Sequence, residues 1–163
     1  RLAGEYAMRE PPHMEVRLSR HREFEEVVAV WHETRKETHT SIGLEMEKSL
    51  TLDDSRRIFL EHIAPHCQLW VAEKDGAIHG FLAMRGSYID RMYVRPIAQR
   101  CGVGGALLEK ARELSPTGLE LHTHQKNRHA RDFYQKHGFR AVRFGLSPAP
   151  ENEPDVEYRW RPT

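Results

Sequence analysis

The chain has 163 residues, of which 39% are hydrophobic and 30% charged, and its formal net charge is +1 with neutral histidines. This length fits one domain with a hydrophobic core, and the balanced charge gives no indication of a nucleic-acid partner or an acidic tail. No segment approaches the roughly 18 consecutive apolar residues that a transmembrane helix needs, so no membrane partner is expected.

Residues 1–13 lack the apolar core of a signal peptide. We expect a disordered leader or a cloning-derived segment there, followed by a single domain over residues 14–163. The two cysteines, Cys67 and Cys101, are too few for a disulfide framework or a zinc site. They favour free thiols in a reduced compartment, and hence a cytoplasmic location.

The first third of the chain predicts one strand and two helices. Met14–Arg20 alternates apolar and polar residues, which is typical of a strand. The following segment has apolar residues at i, i+3, i+4 and i+7 and predicts a helix; they are Phe24, Val27, Val28 and Trp31. We expect a loop over His39–Glu45 and then a second helix that begins after Thr51, its N-cap, and ends before Pro65.

Three strands are predicted in the middle of the chain. Gln68–Glu73 and Ala77–Met84 flank a tight turn, and Tyr88–Val94 is ended by Pro96. A glycine-rich turn and a helix follow. The predicted buried face of this helix comprises Val103, Ala106, Leu107, Ala111 and Leu114.

The last third predicts a strand, a helix ended by a glycine, and two strands. In order, these are Gly118–His124, Asn127–Gly138, Phe139–Phe144 and Asp155–Trp160. The predicted order is a strand, two helices, three strands, a helix, a strand, a helix and two strands, without repeats. This order predicts an α/β protein with a mixed sheet.

The glycine-rich turn is a candidate anion site. Gly102, Gly104 and Gly105 precede the first helical turn, where unsatisfied amides and the helix dipole favour negative charge. The nucleotide-binding sequence G-x-x-x-x-G-K-[ST] is absent. The dinucleotide pattern G-x-G-x-x-G/A fails at Leu107, and a purely structural turn remains the alternative.

Two sequence motifs favour a ligand-binding loop over a purely structural turn. "MYVRPIAQRCGVGGALL" resembles the acetyl-CoA-binding motif of the GNAT superfamily of N-acetyltransferases, through Val94, Pro96, Gln99, Gly102, Gly104, Leu107 and Leu108. "NRHARDFYQKHGF" resembles its second motif, through Asn127, Ala130, Phe133, Tyr134, Gly138 and Phe139. The resemblance covers about Val16–Trp160. Within the family, the chain is most similar to the small single-domain bacterial members. It implies a mixed sheet of about six to seven strands flanked by about four helices.

The resemblance implies acetyl-CoA as cosubstrate and no metal. The pantetheine arm would bind backbone groups of Met92, Tyr93 and Val94 in a gap between two parallel strands. Loop amides would hold the diphosphate, and the residues concerned are Gln99, Arg100, Cys101, Gly102, Val103, Gly104 and Gly105. Asn127 would bind the arm, cap its helix, or do both.

The reaction would be direct transfer to a neutral amine, which needs a base and an acid. Tyr134 occupies the family's usual acid position, although its helical spacing also fits simple packing. His122 stands where many members carry a glutamate, and it is a candidate base. Glu120 lies on the same strand face and could be the base or orient His122. His39 and an ordered water are the other candidates.

The acceptor would be a primary amine on a small molecule or a peptide. We expect loops over Ser41–Ser55 and Gly145–Asp155 to form its walls, and the final hairpin to offer an edge for a homodimer. His122 and His124 have the spacing of zinc ligands, but no third ligand is well placed. A non-catalytic acyl-CoA-binding or sensing domain is the alternative function, and a flavin or dinucleotide binder is a third.

Overall fold

The computed structural model describes residues 13–43 and 50–163. The leader predicted over residues 1–13 therefore lies outside the described residues, apart from His13. Residues 44–49, in the middle of the predicted wall over Ser41–Ser55, also lie outside them.

The elements follow the predicted order. The strands are β1 Met14–Leu18, β2 Gln68–Lys74, β3 Ala77–Arg85, β4 Tyr88–Val94, β5 Leu119–His124, β6 Arg140–Leu146 and β7 Pro154–Trp160. The α-helices in the described residues are α1 Phe24–Ser41, α2 Leu52–Ile58, α3 Val103–Leu114 and α4 Arg128–Lys136. This confirms the predicted α/β fold with a mixed sheet of seven strands and four helices.

Local chemistry explains several boundaries. The Thr51 hydroxyl accepts a hydrogen bond from the Asp54 amide at 3.1 Å, and the Asp54 carboxylate accepts one from the Thr51 amide at 2.9 Å. This reciprocal pair is a capping box, so the predicted N-cap is confirmed. Asp75 and Gly76 both have positive φ, at 54° and 76°, as the tight turn between β2 and β3 requires.

Of three predictions about the helices, two were wrong in detail and one was confirmed. α1 continues through Ser41, so the predicted loop begins too early and His39 is buried in the last helical turn. The second helix ends before Pro65, as predicted, and consists of the α-helix Leu52–Ile58 and one wider turn over Phe59–Ile63. In α3 Leu114 is 37% exposed, whereas Leu108, outside the predicted face, is fully buried.

The sheet order is β1-β2-β3-β4-β5-β7-β6. All neighbouring strands are antiparallel except β4 and β5, which run parallel. The register of β4 and β5 consists of one pair, Tyr88 with Glu120, next to a hydrogen bond from the Glu120 amide to the Ser87 carbonyl at 3.0 Å. Beyond this point the two strands diverge, and the gap opens toward their carboxyl ends.

Helices cover the two halves of the sheet unequally. One apolar cluster joins α1 and the α2 region to β2, β3 and β4, with Trp31, Phe59 and Phe81 fully buried. Among the described residues, that cluster takes no member from β5, β6 or β7. The second cluster, around α3 and α4, includes Leu121 and Tyr158 of that half. In the described part of the chain, one face of the β5-β7-β6 half therefore has no apolar helical layer packed against it, although the end of α1 brings His39 next to His124. The side chains on this face are largely polar.

Candidate active site

Two clefts meet at the gap between β4 and β5. The glycine-loop cleft has a volume of about 910 Å³ and is lined by the turn before α3 and by the start of α4. The histidine cleft has a volume of about 900 Å³ and extends over the open face of β5, β7 and β6. Six residues line both clefts, namely Thr38, Met92, Tyr93, Asn127, Ala130 and Tyr134. A molecule that passes through the gap reaches both clefts.

The backbone of the glycine loop includes two residues in the left-handed conformation. Arg100 has φ 64° and Gly102, the N-cap of α3, has φ 83°. Left-handed residues in such a loop, followed by the free amides of a helix N-terminus, form a concave anion-binding surface. The Gln99 side chain donates to the Val94 carbonyl at 3.1 Å, which fixes the loop to the end of β4.

The loop glycines have different reasons for lacking a side chain. A Cβ on Gly104 would lie 3.2 Å from the Phe133 ring, so this glycine allows α4 to approach α3 closely. A Cβ on Gly105 would meet only His137, at 3.8 Å, and would fit. Both glycines line the glycine-loop cleft, and only Gly104 also has a packing reason to be glycine.

Most of the predicted cofactor residues line this cleft, and two do not. Those that do are Met92, Tyr93, Val94, Gln99, Arg100, Gly102, Gly104, Gly105, Asn127 and Tyr134. The Cys101 side chain is exposed at the turn, and the Val103 side chain is buried in the core. Only their backbone amides could contribute to an anion site.

A set of basic side chains on the opposite wall was not predicted from the sequence. Lys126, Arg128 and Lys136 line the glycine-loop cleft beside Arg100. Lys126 directly precedes the second motif, and Arg128 and Lys136 lie within it on α4. The concentration of basic residues at this motif was the signal available in the sequence. Together they give the cleft a cationic wall suited to phosphate groups.

Tyr134 is the buried side chain between the two clefts. Only 7% of it is exposed, and its ring packs against Phe133, Phe139 and Tyr158 at centroid distances of 5.2, 5.4 and 6.3 Å. Burial, with a smaller contribution from Tyr93, raises the pKa of the Tyr134 phenol above its usual range. The phenol therefore keeps its proton at neutral pH, as an acid must before the reaction.

Asn127 is the N-cap of α4. Its side-chain oxygen accepts a hydrogen bond from the Ala130 amide at 3.1 Å. The capping alternative is therefore observed, and Asn127 also lines both clefts.

His122 lies in the histidine cleft with a partner that the sequence analysis did not identify. Its Nδ1 lies 2.8 Å from the Tyr88 hydroxyl. Burial raises the pKa of Tyr88, as do the negative charges of Asp90 and Asp155, so this phenol is neutral at physiological pH. The hydrogen bond orients the imidazole and leaves Nε2 as its second functional atom.

The other candidate bases occupy different positions. Glu120 sits at the closed end of the gap, where β5 pairs with Tyr88 of β4, and it lines neither cleft. His39 lines the histidine cleft from the end of α1, and its ring lies 5.2 Å from that of His124. Of the three predicted side chains, His122 and His39 are thus brought to the cleft and Glu120 is not.

The described residues contain no group of three or more His, Cys, Asp or Glu side chains arranged to hold a metal ion. In the same part of the chain, no helix is long and apolar enough to cross a membrane.

Comparisons with known proteins agree with this geometry. Residues 65–141 match the family model of the acetyltransferase (GNAT) domain. The peptidyl-lysine N-acetyltransferase YjaB of Escherichia coli K12 is 36% identical over 129 residues, covering 78% of this chain and 82% of YjaB. The solution structure of apo YjaB superposes with a TM-score of 0.75 at 29% identity, covering 91% of this chain and 97% of YjaB. A GCN5-related N-acetyltransferase from Rhodopseudomonas palustris shares the fold at 17% identity, with a TM-score of 0.78 over 91% of this chain and 95% of that one.

Proposed function

Because this chain belongs to the GNAT family of acetyltransferases, we propose that it binds acetyl-CoA in the glycine-loop cleft and acetylates a polypeptide lysine in the histidine cleft. The family resemblance is confirmed, and the chain is an N-acetyltransferase. Its acetyl donor, its acceptor and the roles of its site residues are proposed on the grounds that follow.

The observation that carries the proposal is the position of Tyr134. It lines both clefts at the gap where β4 and β5 diverge. A thioester that lies in this gap would have its sulfur near the phenol and its carbonyl open to the histidine cleft. Donor and acceptor would then meet without a covalent enzyme intermediate.

The glycine-loop cleft suits coenzyme A along its length. The left-handed Arg100 and Gly102 aim loop amides at the position proposed for the diphosphate, and Gly105 leaves space beside them. Lys126 and Arg128 supply further positive charge. The free edge of β4 at Met92–Val94, which has no partner on β5, supports the proposal that the pantetheine arm hydrogen-bonds there like an added strand.

The proposed chemistry uses one acid and one base. The acceptor nitrogen forms a bond to the acetyl carbonyl carbon as the carbon–sulfur bond breaks. Tyr134 gives its proton to the departing thiolate, and the amine loses its proton to Nε2 of His122, directly or through a water. This role requires Nδ1–H of His122 to donate to the Tyr88 oxygen, which the 2.8 Å separation allows.

A polypeptide lysine is the acceptor that the open sheet face favours. The histidine cleft continues along a half-sheet on which residues 13–43 and 50–163 place no apolar helical layer, so a chain segment can lie across it. Two relatives, the YjaB proteins of Escherichia coli and Salmonella typhimurium, are named peptidyl-lysine N-acetyltransferases. A free small-molecule amine remains the second acceptor class for the test below.

We also propose the homodimer that the final hairpin suggested. All seven residues of the edge strand β6 are exposed, including the large apolar side chains Val142, Phe144 and Leu146. An exposed apolar edge strand is prone to pair with another chain. Light scattering coupled to gel filtration measures this directly, and a monomer at about 100 μM would contradict it.

The test of the proposed function has two stages. Calorimetric titration with acetyl-CoA, CoA and NADH should show binding of the first two ligands only. Thiol release and peptide mass should then report acetyl transfer to lysine peptides in preference to free amines. Binding without turnover on any amine would favour the acyl-CoA-sensing alternative, and binding of neither CoA ligand would contradict the proposal altogether.

A further inference from the structure

Four carboxylates line the histidine cleft, and they differ in how many positively charged side chains lie next to them. They are Asp90, Glu151, Asp155 and Glu157. Asp90 lies 3.5 Å from the Arg91 guanidinium and 3.9 Å from that of Arg85. Its negative charge is therefore already opposed by two cations of the protein.

Two further carboxylates also face cations. Glu157, which is buried, lies 3.4 Å from Arg143 and 3.3 Å from Arg159. Glu151 lies 3.8 Å from Nε2 of His124, which is positive when protonated. These pairs hold the wall of the cleft together and leave little net charge for a ligand.

Asp155 differs from the other three. Among the ion pairs of the described residues, none includes Asp155, although it is half-buried and lines the cleft. Its neighbour on β6 is Gly145, where a Cβ would lie 3.5 Å from the Asp155 oxygen. The absence of a side chain there leaves the carboxylate open to the cleft.

The sheet register places Asp155 close to the candidate base. Asp155 is the cross-strand partner of His124, and His122 is two residues away on the same face of β5. Diagonal neighbours in an antiparallel pair lie about 7–8 Å apart, a spacing across which long side chains still approach one another. A cation held by Asp155 would therefore lie within reach of His122 and of the gap.

We propose that Asp155 binds the ammonium group of the incoming acceptor and so selects cationic acceptors, an assignment that rests on the proposed function. A lysine ammonium can form a charge-assisted hydrogen bond to this carboxylate, which has no ion-pair partner among the described residues. The same attraction favours the protonated amine, which cannot attack. Asp155 therefore contributes to capture of the acceptor, and His122 or water removes the proton afterwards.

This separation of roles predicts a specific kinetic pattern. In the full chain, Asp155→Asn should raise KM for a lysine peptide by about tenfold and change kcat by less than about threefold. The wild-type KM should rise with ionic strength, because the attraction is between charges, and the KM of Asp155→Asn should not. Asp155→Glu should restore most of the wild-type KM.

The matched control is Glu153→Gln, which removes one negative charge two residues away. Glu153 does not line the histidine cleft, and its hydrogen bonds to Ser147 use backbone atoms that the substitution keeps. Glu153→Gln should leave KM and its salt dependence unchanged.

Equal KM values for Asp155→Asn and Glu153→Gln in an active enzyme would overturn the role of Asp155 alone. A wild-type enzyme that binds acetyl-CoA but acetylates no lysine peptide would instead show that the proposed acceptor is wrong. Titration of acetyl-CoA into Asp155→Asn should give the wild-type affinity, which shows that the variant is folded. Weakened acetyl-CoA binding would also contradict a role restricted to the acceptor.

Discussion

The two clefts are built in different ways from the same chain. The anion-binding surface that we propose for the glycine-loop cleft consists of consecutive backbone groups between Gln99 and Gly105. The histidine cleft takes its chemistry from side chains on α1, β4, β5, β6 and β7, which are far apart in sequence. A backbone site tolerates many side chains and is sensitive to geometry, whereas a side-chain site can be changed one functional group at a time.

The sharpest test of this difference is Gly105→Glu. A Cβ fits at this position, and a carboxylate at a helix N-terminus stabilises the helix, so the fold should be kept. The same charge would repel the diphosphate by about 4 kcal/mol at 4 Å near a protein surface, or roughly a thousandfold in affinity. Calorimetry with acetyl-CoA measures the loss.

Gly105→Ala is the matched control, since it tests space without charge and should bind acetyl-CoA almost normally. Gly104 is less suitable, because any side chain there meets Phe133 and confuses packing with binding. If Gly105→Glu kept the wild-type affinity, the glycine loop would be a structural turn only.

Tyr134→Phe should have the next largest effect and act between the clefts. Removal of the phenol should lower kcat by about 100-fold, as expected for one general acid. The affinity for acetyl-CoA should stay nearly intact, because the ring still packs on Phe139 and Tyr158. Steady-state kinetics and calorimetry report the two quantities separately, and full activity would reduce Tyr134 to a packing residue.

Tyr88→Phe should have a smaller effect, confined to the histidine cleft. It removes the hydrogen bond to Nδ1 of His122 and should lower kcat/KM by about three- to tenfold. An imidazolium donates to the Tyr88 oxygen more strongly than a neutral imidazole does. Loss of this acceptor should therefore move the acid limb of the pH–rate profile to lower pH.

The direction of that movement is informative. A limb that moved to higher pH would show that Tyr88 donates to Nδ1 of His122. Nε2 would then carry the proton, and His122 could not accept one from the acceptor. His122→Gln is the control for this test. If Tyr88→Phe acts through His122, it should have no further effect on the rate in a variant that already carries His122→Gln.

The glycine-loop cleft is made largely of neighbouring residues and the histidine cleft of residues distant in sequence. This difference explains which parts of the site could be predicted from the sequence. The glycine loop, Tyr134 and the order of helices and strands all follow from patterns of neighbouring residues, and the sheet of seven strands was expected. The partnership of Tyr88 with His122 joins residues 34 positions apart. Such a contact depends on the sheet register, which the sequence does not reveal without knowledge of which strands pair.

The smaller errors in the predictions from sequence also have physical causes. α1 runs through His39 because its last turn forms further backbone hydrogen bonds, including Ile42 to Thr38 at 3.2 Å. Glu120 and His122 share a strand face, as predicted, but β4 and β5 are still paired beside Glu120 and have diverged beside His122. Alternation along β5 could not distinguish the closed end of the gap from the open one.

The single pair that joins β4 to β5 has a consequence for how the two halves of the sheet move. With Tyr88 and Glu120 as their register, the halves share few cross-sheet bonds, so local opening should be easiest at the gap. A donor molecule that hydrogen-bonds to β4 would couple them. Amide protons of Met92–Val94 should then exchange more slowly with solvent deuterium, and the thermal transition should become more cooperative as the ligand saturates.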